Sequence, residues 1–340
     1  MAATYLGAAP LPALLPSMPR VLLADHEFPD LDLERKLYAK AGVEFVVGHC
    51  RTEAEVIAAA SGCDGILLQA APITSKVVAA LPQLGIVSRI GAGVDTVDTD
   101  ACAHHGVWVA NAPDYGVGEV ATHALALTLA LLRNVVAYHR DIAAGRWHYQ
   151  SSGPLRRAGD MTLGIVGLGR IGKRMAHVSR NVFRRVLACD PYLIDGDFPA
   201  YVERAVDLAS LFAASDVVSV HVPLTAQTRG MIDASLLSRM RAGSYLVNTA
   251  RGAIVVADDL LAALDSGILA GAGLDVLPVE PVPAESPLLG HAKVILTPHA
   301  AFFSVQAEVE LRRKAAQNIV SWLATGRPEY VVVQGTRRPA

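Results

Sequence analysis

Short apolar runs alternate with amphipathic segments along most of the chain, beginning at Arg20. Apolar runs of this kind are typical of parallel strands buried on both faces, and the segments between them have the spacing of helices with one apolar face. Helices are predicted at residues 53–60 and 75–81. The alternation predicts βαβ units. The first series of predicted strands covers residues 21–24, 44–47, 65–68, 86–88 and 107–110.

A second series of predicted strands follows a long helical pattern at 119–138 and a Gly-, Ser- and Pro-rich connection at 145–159. A last helical pattern, 307–323, leads to an apolar run at 330–333, so the chain is expected to end by returning to the first series. A chain of 340 residues exceeds what one core usually organises. We therefore predict an α/β protein with two doubly wound parallel sheets. The second series covers residues 163–166, 185–189, 217–221, 244–248, 272–274 and 294–296.

The composition excludes several classes of protein. Hydrophobic residues make up 52% of the chain and charged residues only 18%, which is unlike a disordered protein. A formal net charge of -2 gives no electrostatic reason to expect nucleic acid or an anionic membrane as a partner. Four scattered cysteines without metal-finger spacing favour reduced thiols in the cytoplasm.

No segment of the chain is predicted to be a leader or a membrane span. Residues 1–19 carry no charged side chain, but four prolines interrupt them and a basic start is missing, so we expect a loose extension. The longest apolar stretch elsewhere, 124–132, is well short of the ~20 residues that a span requires.

A predicted strand at 163–166 runs directly into a G-x-G-x-x-G sequence and then a helix. Gly167 would make the tight turn, Gly169 would let a pyrophosphate approach the backbone, and Gly172 would let helix and strand pack closely. Arg170 and Ile171 begin the helix, whose N-terminus favours anions. Asp190 follows about 20 residues later, where an acid accepts ribose hydroxyls and repels a 2′-phosphate. We therefore predict an NAD site rather than an NADP site.

Three chemically suited residues follow strands of the second series. Hydride transfer to a 2-oxo acid needs a cation for the carboxylate, and Arg251 offers a planar bidentate fork. It also needs a proton donor for the carbonyl oxygen, which a histidine such as His299 supplies near neutrality. A neighbouring carboxylate, Glu280, would favour the imidazolium form. We therefore expect Arg251, Glu280 and His299 to be catalytic, with no metal.

Each of these residues also has a purely structural interpretation. Arg251 could form a surface ion pair, His299 could be a packed loop histidine, and Glu280 could be solvated between Pro278 and Pro281. Position at strand ends favours the catalytic interpretation, because ligands collect there in open α/β sheets.

Taken together, the motifs resemble those of the D-isomer-specific 2-hydroxyacid dehydrogenase family. The sequence at 113–115 and 300–304 most resembles the branch of the family that includes the C-terminal-binding-protein corepressors and their bacterial enzyme relatives. The similar segments span nearly the whole chain from Arg20: 89–95, 111–114, the glycine loop, 221–225, 248–252, 275–281 and 297–301.

The resemblance implies a domain arrangement and further site residues. A flavodoxin-like substrate domain, 1–114 and 303–340, would flank an inserted Rossmann-type NAD-binding domain, 115–302. Backbone N–H groups of Gly91, Ala92 and Gly93 would bind the substrate carboxylate beside Gln69. The implied cofactor-binding residues outside the glycine loop are Asp190, His221, Val222, Pro223, Thr228, Thr249, Ala250, Asp275, His299 and Ala301.

The resemblance also implies a homodimer joined by the helix at 119–138, with Trp147 similar to a residue that reaches the partner's site. Two positions depart from the family: Thr122 stands where relatives commonly carry an acid, and Phe302 replaces a Trp of the corepressor-like members. Side-chain pockets of the first domain, near Gln69, Ala70 and Tyr115, are expected to set the choice of substrate. The expected activity is NAD(H)-dependent interconversion of a small 2-oxo acid and its D-2-hydroxy acid. The alternatives are an NADH-sensing corepressor-like protein and a dehydrogenase of a phosphorus-containing acid.

Overall fold

The structure, a computed structural model, describes residues 18–339, so most of the extension predicted over 1–19 lies outside the described residues. The chain forms two compact units: unit 1 runs to Pro113 and resumes at Glu310, and unit 2 is Asp114–Val309. The last helix, Val305–Thr325, contains the second boundary between the units, and the division into a substrate domain and an NAD-binding domain stays a prediction.

The predicted strands are all present, with ends shifted by up to three residues. The first part of the chain contains β1 (Arg20–Leu23), α1 (Asp32–Lys40), β2 (Glu44–Val47), α2 (Glu53–Ala59), β3 (Gly65–Leu68), α3 (Ser75–Ala80), β4 (Ile86–Arg89), α4 (Thr99–His104) and β5 (Trp108–Ala110). The middle part contains α5 (Val117–Leu132), α6 (Val135–Ala143), β6 (Thr162–Val166), α7 (Arg170–Ser179), β7 (Arg185–Cys189), β8 (Glu203–Arg204), α8 (Leu208–Ala214), β9 (Val217–Val220), α9 (Ala234–Leu237), β10 (Ser244–Asn248), α10 (Ala257–Asp265), β11 (Leu269–Leu274) and β12 (Val294–Leu296). The last part contains α11 (Val305–Thr325) and β13 (Val331–Val333).

Unit 1 is built on a six-stranded sheet in the order β13-β5-β4-β3-β1-β2. The first five strands are parallel, and β13 pairs antiparallel with β5, so the chain does return to its first sheet. Close packing of α11 explains a glycine in this unit: the ring of Trp322 lies where a Cβ of Gly85 would be.

Unit 2 is built on a seven-stranded parallel sheet in the order β12-β11-β10-β9-β6-β7-β8. Successive side chains of its strands face opposite sides, so Leu246 packs into a core with α8, α9 and α10 while Val247 packs into a core with α5 and α7. The strand order reverses between β6 and β9, which is where doubly wound sheets bind ligands. The prediction of a mixed α/β protein with two parallel-strand sheets is confirmed.

The long helix predicted at 119–138 is wrong as a single element. Asn134 takes a left-handed conformation with φ +50, which ends α5 and starts α6 in a new direction, 58° from the first. Asparagine tolerates this conformation better than most residues. Among the described residues no single helix is long and apolar enough to cross a membrane, although α5 and α6 taken together as a bent pair meet the same criterion.

Candidate active site

Nearly all the predicted site residues of unit 2 lie at or beyond the carboxyl ends of six neighbouring strands. The glycine turn follows β6, Asp190 follows β7 and His221 follows β9. Arg251 follows β10, while Glu280 and His299 come after β11 and β12. Because all these strands are parallel and adjacent, their carboxyl ends share one edge of the sheet. The predicted residues therefore lie along this edge in the order of the strands that they follow, which is β12, β11, β10, β9, β6 and β7.

The three glycines of the turn differ in what surrounds them. Gly167 has φ +86, and a Cβ there would meet the Val222 side chain at 2.6 Å and the His221 carbonyl oxygen at 3.0 Å. A Cβ on Gly172 would lie 2.1 Å from the carbonyl oxygen of Gly167, so helix and strand pack as closely as predicted. A Cβ on Gly169 would meet nothing within 4 Å. Gly169 therefore faces open space.

Asp190 is tied to the glycine turn by its carboxylate. Its Oδ2 accepts a hydrogen bond from the Leu168 N–H at 2.9 Å, and its Oδ1 accepts one from the Tyr192 N–H at 3.0 Å. Each carboxylate oxygen can accept more than one hydrogen bond, so the acid can still serve ribose hydroxyls. Asp190 directly follows the carboxyl end of β7, and its role as a cofactor residue stays a prediction.

The residues of this edge fit a dinucleotide. The first turn of α7 has no side-chain cap, which leaves its N–H groups available to a phosphate. The hydroxyl of Thr249 is buried and has no hydrogen-bond partner within the described residues, which suits a ligand that supplies one. His221 bonds Ser219 through Nε2 at 2.8 Å, and burial lowers its pKa to about 4, so the ring is neutral near pH 7.

The remaining predicted cofactor residues belong to the loops of the same edge. The hydroxyl of Thr228 donates to the Pro223 carbonyl at 2.6 Å and so closes its own loop. The Ala250 N–H donates to the side chain of Asn248 at 3.0 Å. The Ala301 N–H donates to Asp275 at 2.9 Å.

His299 and Glu280 form a hydrogen-bonded pair. His299 Nδ1 lies 2.7 Å from Glu280 Oε2, and Glu280 Oε1 accepts the Leu277 N–H at 2.8 Å. Because a carboxylate only accepts, Nδ1 carries the hydrogen and Nε2 is left to exchange a proton with a ligand. Partial burial raises the pKa of the Glu280 carboxyl, but the hydrogen bonds from His299 and Leu277 and the charges of His299 and Arg251 outweigh it. This pKa is therefore below its ordinary value.

Arg251 is placed next to this pair by close backbone packing. A Cβ on the following residue, Gly252, would lie 1.9 Å from the carbonyl carbon of Leu277, so only glycine allows the two turns to approach. The Leu277 N–H binds Glu280, and the charge of Arg251 is among those that lower the pKa of Glu280. The Arg251 guanidinium also donates to the Ala250 carbonyl at 2.8 Å. Arg251, Glu280 and His299 are thus near each other in unit 2.

Asp275 has a role that the sequence did not indicate. The residue is 2% exposed, and its carboxylate accepts the Ala300 and Ala301 N–H groups, each at 2.9 Å, and the Thr297 hydroxyl at 2.6 Å. His123 on α5 contacts the same Thr297 hydroxyl. Neither Thr297 nor His123 was predicted as a site residue, because the contact joins positions 174 residues apart in the chain.

The predicted substrate residues Gln69, Gly91, Ala92 and Gly93 lie at the carboxyl ends of β3 and β4 in unit 1. Arg89, which the sequence gave no role, donates from Nε to the Gln69 carbonyl at 3.1 Å. Its guanidinium occupies the space where a Cβ of Gly91 would be. The Ala92 carbonyl accepts from Asn111 at 2.6 Å. Gln69, Arg89 and the Gly91 turn are therefore one connected group.

The structure also places the remaining positions singled out in the sequence. The Thr122 hydroxyl donates to carbonyls of its own helix, the Tyr115 ring lies 6.0 Å from that of Phe302, and Trp147 is 88% exposed. Among residues 18–339, no group of three or more His, Cys, Asp or Glu side chains is arranged to hold a metal ion.

Comparison with known proteins identifies the family. The model of the D-isomer specific 2-hydroxyacid dehydrogenase, NAD binding domain, matches residues 125–301, just over half of the chain. The D-3-phosphoglycerate dehydrogenase of Mycobacterium tuberculosis is 35% identical over 89% of this chain, but the match spans only 56% of that relative's length. The glyoxylate reductase of Korarchaeum cryptofilum is 35% identical over 82% of this chain and 85% of its own.

A solved structure is similar as well. The NADPH-dependent glyoxylate/hydroxypyruvate reductase of Sinorhizobium meliloti, in complex with NADP and malonate, is 30% identical with a TM-score of 0.84, covering 95% of this chain and all of that one. The matched domain is an NAD-binding domain, so the predicted nicotinamide dinucleotide cofactor is confirmed. The corepressor-like branch stays a prediction. The chain belongs to the D-isomer-specific 2-hydroxyacid dehydrogenase family.

Proposed function

We propose that this protein is an NAD-dependent oxidoreductase that interconverts a small 2-oxo acid and its D-2-hydroxy acid. The observation that carries the proposal is the 2.7 Å contact between His299 Nδ1 and Glu280 Oε2 beside Arg251. A carboxylate-oriented histidine next to an arginine provides a proton donor and an anion clamp, which are the two groups that this reaction requires of the protein.

The residues of the chain handle the proton and the charge. When bound, the nicotinamide dinucleotide supplies or accepts the hydride. In reduction, His299 donates the proton on Nε2 to the carbonyl oxygen, and in oxidation the neutral ring takes it back. Glu280 holds the ring through Nδ1 and stabilises its positively charged form. Arg251 binds the substrate carboxylate as a planar fork. The backbone N–H groups of Gly91, Ala92 and Gly93 help to bind the substrate carboxylate, with Gln69 beside the substrate.

We propose NAD rather than NADP as the preferred cofactor. The carboxylate of Asp190 follows β7, where it would accept hydrogen bonds from ribose hydroxyls and repel a 2′-phosphate. The glycine loop would hold the pyrophosphate, and Thr249, Ala250, Asp275, Ala301, His221, Val222, Pro223 and Thr228 would line the rest of the cofactor.

We also propose that the protein forms a homodimer through α5 and α6. None of the residues of α6 is buried, and Trp147 and Ile142 are exposed apolar side chains in this region. Ile142 and Trp147 line the same surface pocket, and exposed apolar side chains grouped in this way mark candidate interaction sites. Analytical ultracentrifugation should give a dimer mass for the wild type, and Trp147→Ala should weaken the dimer. A monomer at all concentrations would contradict this part of the proposal.

The substrate panel follows the relatives' names. Glyoxylate, hydroxypyruvate and phosphohydroxypyruvate correspond to proteins named glyoxylate reductase, glycerate dehydrogenase and D-3-phosphoglycerate dehydrogenase. Pyruvate, phenylpyruvate and phosphonopyruvate extend the panel, and phosphite with NAD tests the oxidation of a phosphorus acid. The purified protein should consume NADH with at least one 2-oxo acid. Bound NADH without turnover across the panel would refute the proposal and favour an NADH-sensing binding protein.

A further inference from the structure

The turn that carries His299 is held in an uncommon conformation. His299 has φ +52, in the left-handed region that non-glycine residues rarely adopt. Its N–H donates to the Asp275 carbonyl at 2.8 Å and to the Thr297 carbonyl at 3.0 Å. A conformation of this kind persists only where surrounding contacts enforce it. The contacts around Asp275 therefore hold the backbone turn that carries the His299 ring, while Glu280 holds the ring itself.

The Asp275 carboxylate is the anchor of this turn. Oδ1 accepts the Thr297 hydroxyl at 2.6 Å and the Ala300 N–H at 2.9 Å, and Oδ2 accepts the Ala301 N–H at 2.9 Å. These hydrogen bonds hold the chain both before His299, at Thr297, and after it, at Ala300 and Ala301. Asp275 is 2% exposed, so the hydrogen bonds of its carboxylate are shielded from water and are stronger than they would be in water.

His123 reaches this anchor from α5. Its Nε2 lies 2.9 Å from the Thr297 hydroxyl oxygen and 3.6 Å from Asp275 Oδ1. The single hydrogen of the Thr297 hydroxyl is directed to Asp275, so toward His123 the hydroxyl only accepts. The Nε2 of His123 must therefore carry a hydrogen. A donor chain runs from His123 through Thr297 to Asp275.

We propose that His123 is a positioning residue for His299. By donating through Thr297 to Asp275, it fixes the orientation of the carboxylate and thereby the left-handed turn that directs the catalytic ring. His123 itself is not expected to touch substrate. Its side chain is 25% exposed and makes its polar contact with the anchor rather than with the Glu280–His299 pair. The kinetic part of this inference rests on the proposed function.

Two substitutions distinguish the effect of losing the hydrogen bond from the effect of losing the imidazole ring. His123→Met keeps side-chain length but has no N–H, whereas His123→Gln places an amide N–H near the position of Nε2. We expect His123→Met to lower kcat by about 3- to 10-fold, the range for one hydrogen bond of ordinary net strength, with KM for the oxo acid changed by less than about twofold. His123→Gln should recover most of the rate. Thr122→Val is the matched control, because among residues 18–339 the Thr122 hydroxyl bonds only carbonyls of its own helix.

A double mutant tests the chain of donors itself. Thr297→Val removes both the relay and its own bond to Asp275, so it should lower kcat at least as much as His123→Met does, and the double variant should be no worse than Thr297→Val alone. Additive losses would overturn the relay. Unchanged kcat in His123→Met, or a fall in thermal stability with kcat unchanged, would overturn the positioning role.

A spectroscopic measurement tests the inference without turnover. Nitrogen NMR of ¹⁵N-histidine-labelled protein should show His123 protonated on Nε2, and the His299 signals should shift in His123→Met but not in Thr122→Val. A His123 ring protonated on Nδ1 alone would overturn the inference. Lack of turnover in the wild type would instead refute the proposed function, and the NMR result would still decide the inference.

Discussion

Nδ1 of His299 lies 2.7 Å from Oε2 of Glu280, and the other oxygen of Glu280 is held by the Leu277 N–H. This relationship fixes which ring nitrogen faces the ligand and places a negative charge against the ring. The pKa of Glu280 is held below its ordinary value, because the bonds and charges of His299, Leu277 and Arg251 outweigh the effect of partial burial. Glu280 is therefore ionised near neutral pH.

Glu280→Gln should move the pH dependence of the rate. Reduction needs the protonated ring of His299, and the variant removes the negative charge that stabilises it. The variant therefore supports the protonated ring less well, so the decline in the reduction rate on the alkaline side should move to lower pH. The acid-side decline of the oxidation rate should move the same way. Profiles of kcat/KM in both directions measure this shift.

Glu285→Gln is the matched control for this change. Glu285 lies in the same connection between β11 and β12 and is exposed. Its profile should coincide with that of the wild type. An unshifted profile in Glu280→Gln would mean that Glu280 only supports the loop.

Arg251→Ala should weaken substrate binding and turnover together. A clamp on the carboxylate acts both in the ground state and in the transition state, so KM should rise and kcat should fall. The loss in kcat/KM should reach about 10²-fold or more, the size expected for a charge-assisted bidentate contact. Arg313→Ala, at an exposed arginine of α11, is the control and should be neutral. A normal KM in Arg251→Ala would assign the clamp elsewhere.

The glycines of the turn should separate folding from cofactor binding. Gly172→Ala should lower the free energy of unfolding by about 1–3 kcal/mol, because its Cβ would meet the Gly167 carbonyl oxygen. Gly169→Ala should change it by less than about 1 kcal/mol but weaken NADH binding by about tenfold or more, because its Cβ enters the space proposed for the pyrophosphate. Denaturant unfolding and NADH fluorescence titration measure the two effects. Normal NADH affinity in Gly169→Ala would contradict the proposed cofactor position.

Asp190→Asn should shift cofactor preference toward NADPH. The change removes the charge that repels a 2′-phosphate and keeps the shape of the side chain. The ratio of kcat/KM for NADH to that for NADPH should fall by about tenfold, equivalent to about 1.4 kcal/mol. Asp195→Asn changes an exposed carboxylate nearby in the chain and should leave the ratio unchanged. An unchanged ratio in Asp190→Asn would remove the stated reason for preferring NAD.

Local sequence patterns predicted most strands because their residues are mainly apolar and most of those residues are buried. The strand at Gly65–Leu68 matches the prediction at both ends. The strand β8, Glu203–Arg204, was missed because both its residues are exposed and polar. The end of α5 was missed because the apolar pattern continues through Asn134, whose left-handed conformation depends on contacts such as the bond from its side chain to the Ser152 carbonyl.

The candidate site was predictable where one strand end supplies one reactive group. Arg251 and His299 each follow a strand closely. Because these strands are parallel and lie in one sheet, their carboxyl ends bring the two side chains to the same edge. His123 was not predictable, because it lies on a helix and its partner Thr297 is distant in sequence. The role of Arg89 was not predictable, because its contact with Gly91 depends on the backbone conformation of the turn that follows β4.

The central claim is that His299 transfers the proton that accompanies hydride transfer to a 2-oxo acid. The most direct test is single-turnover reduction of the best oxo acid by wild type and His299→Ala, each preloaded with NADH, with the product separated by chiral chromatography. The account predicts the D-2-hydroxy acid from the wild type, and a rate lower by ~10²–10⁴-fold in the variant with NADH binding retained. A variant that forms the product at nearly the wild-type rate, or a wild type that forms the L-acid, would contradict it.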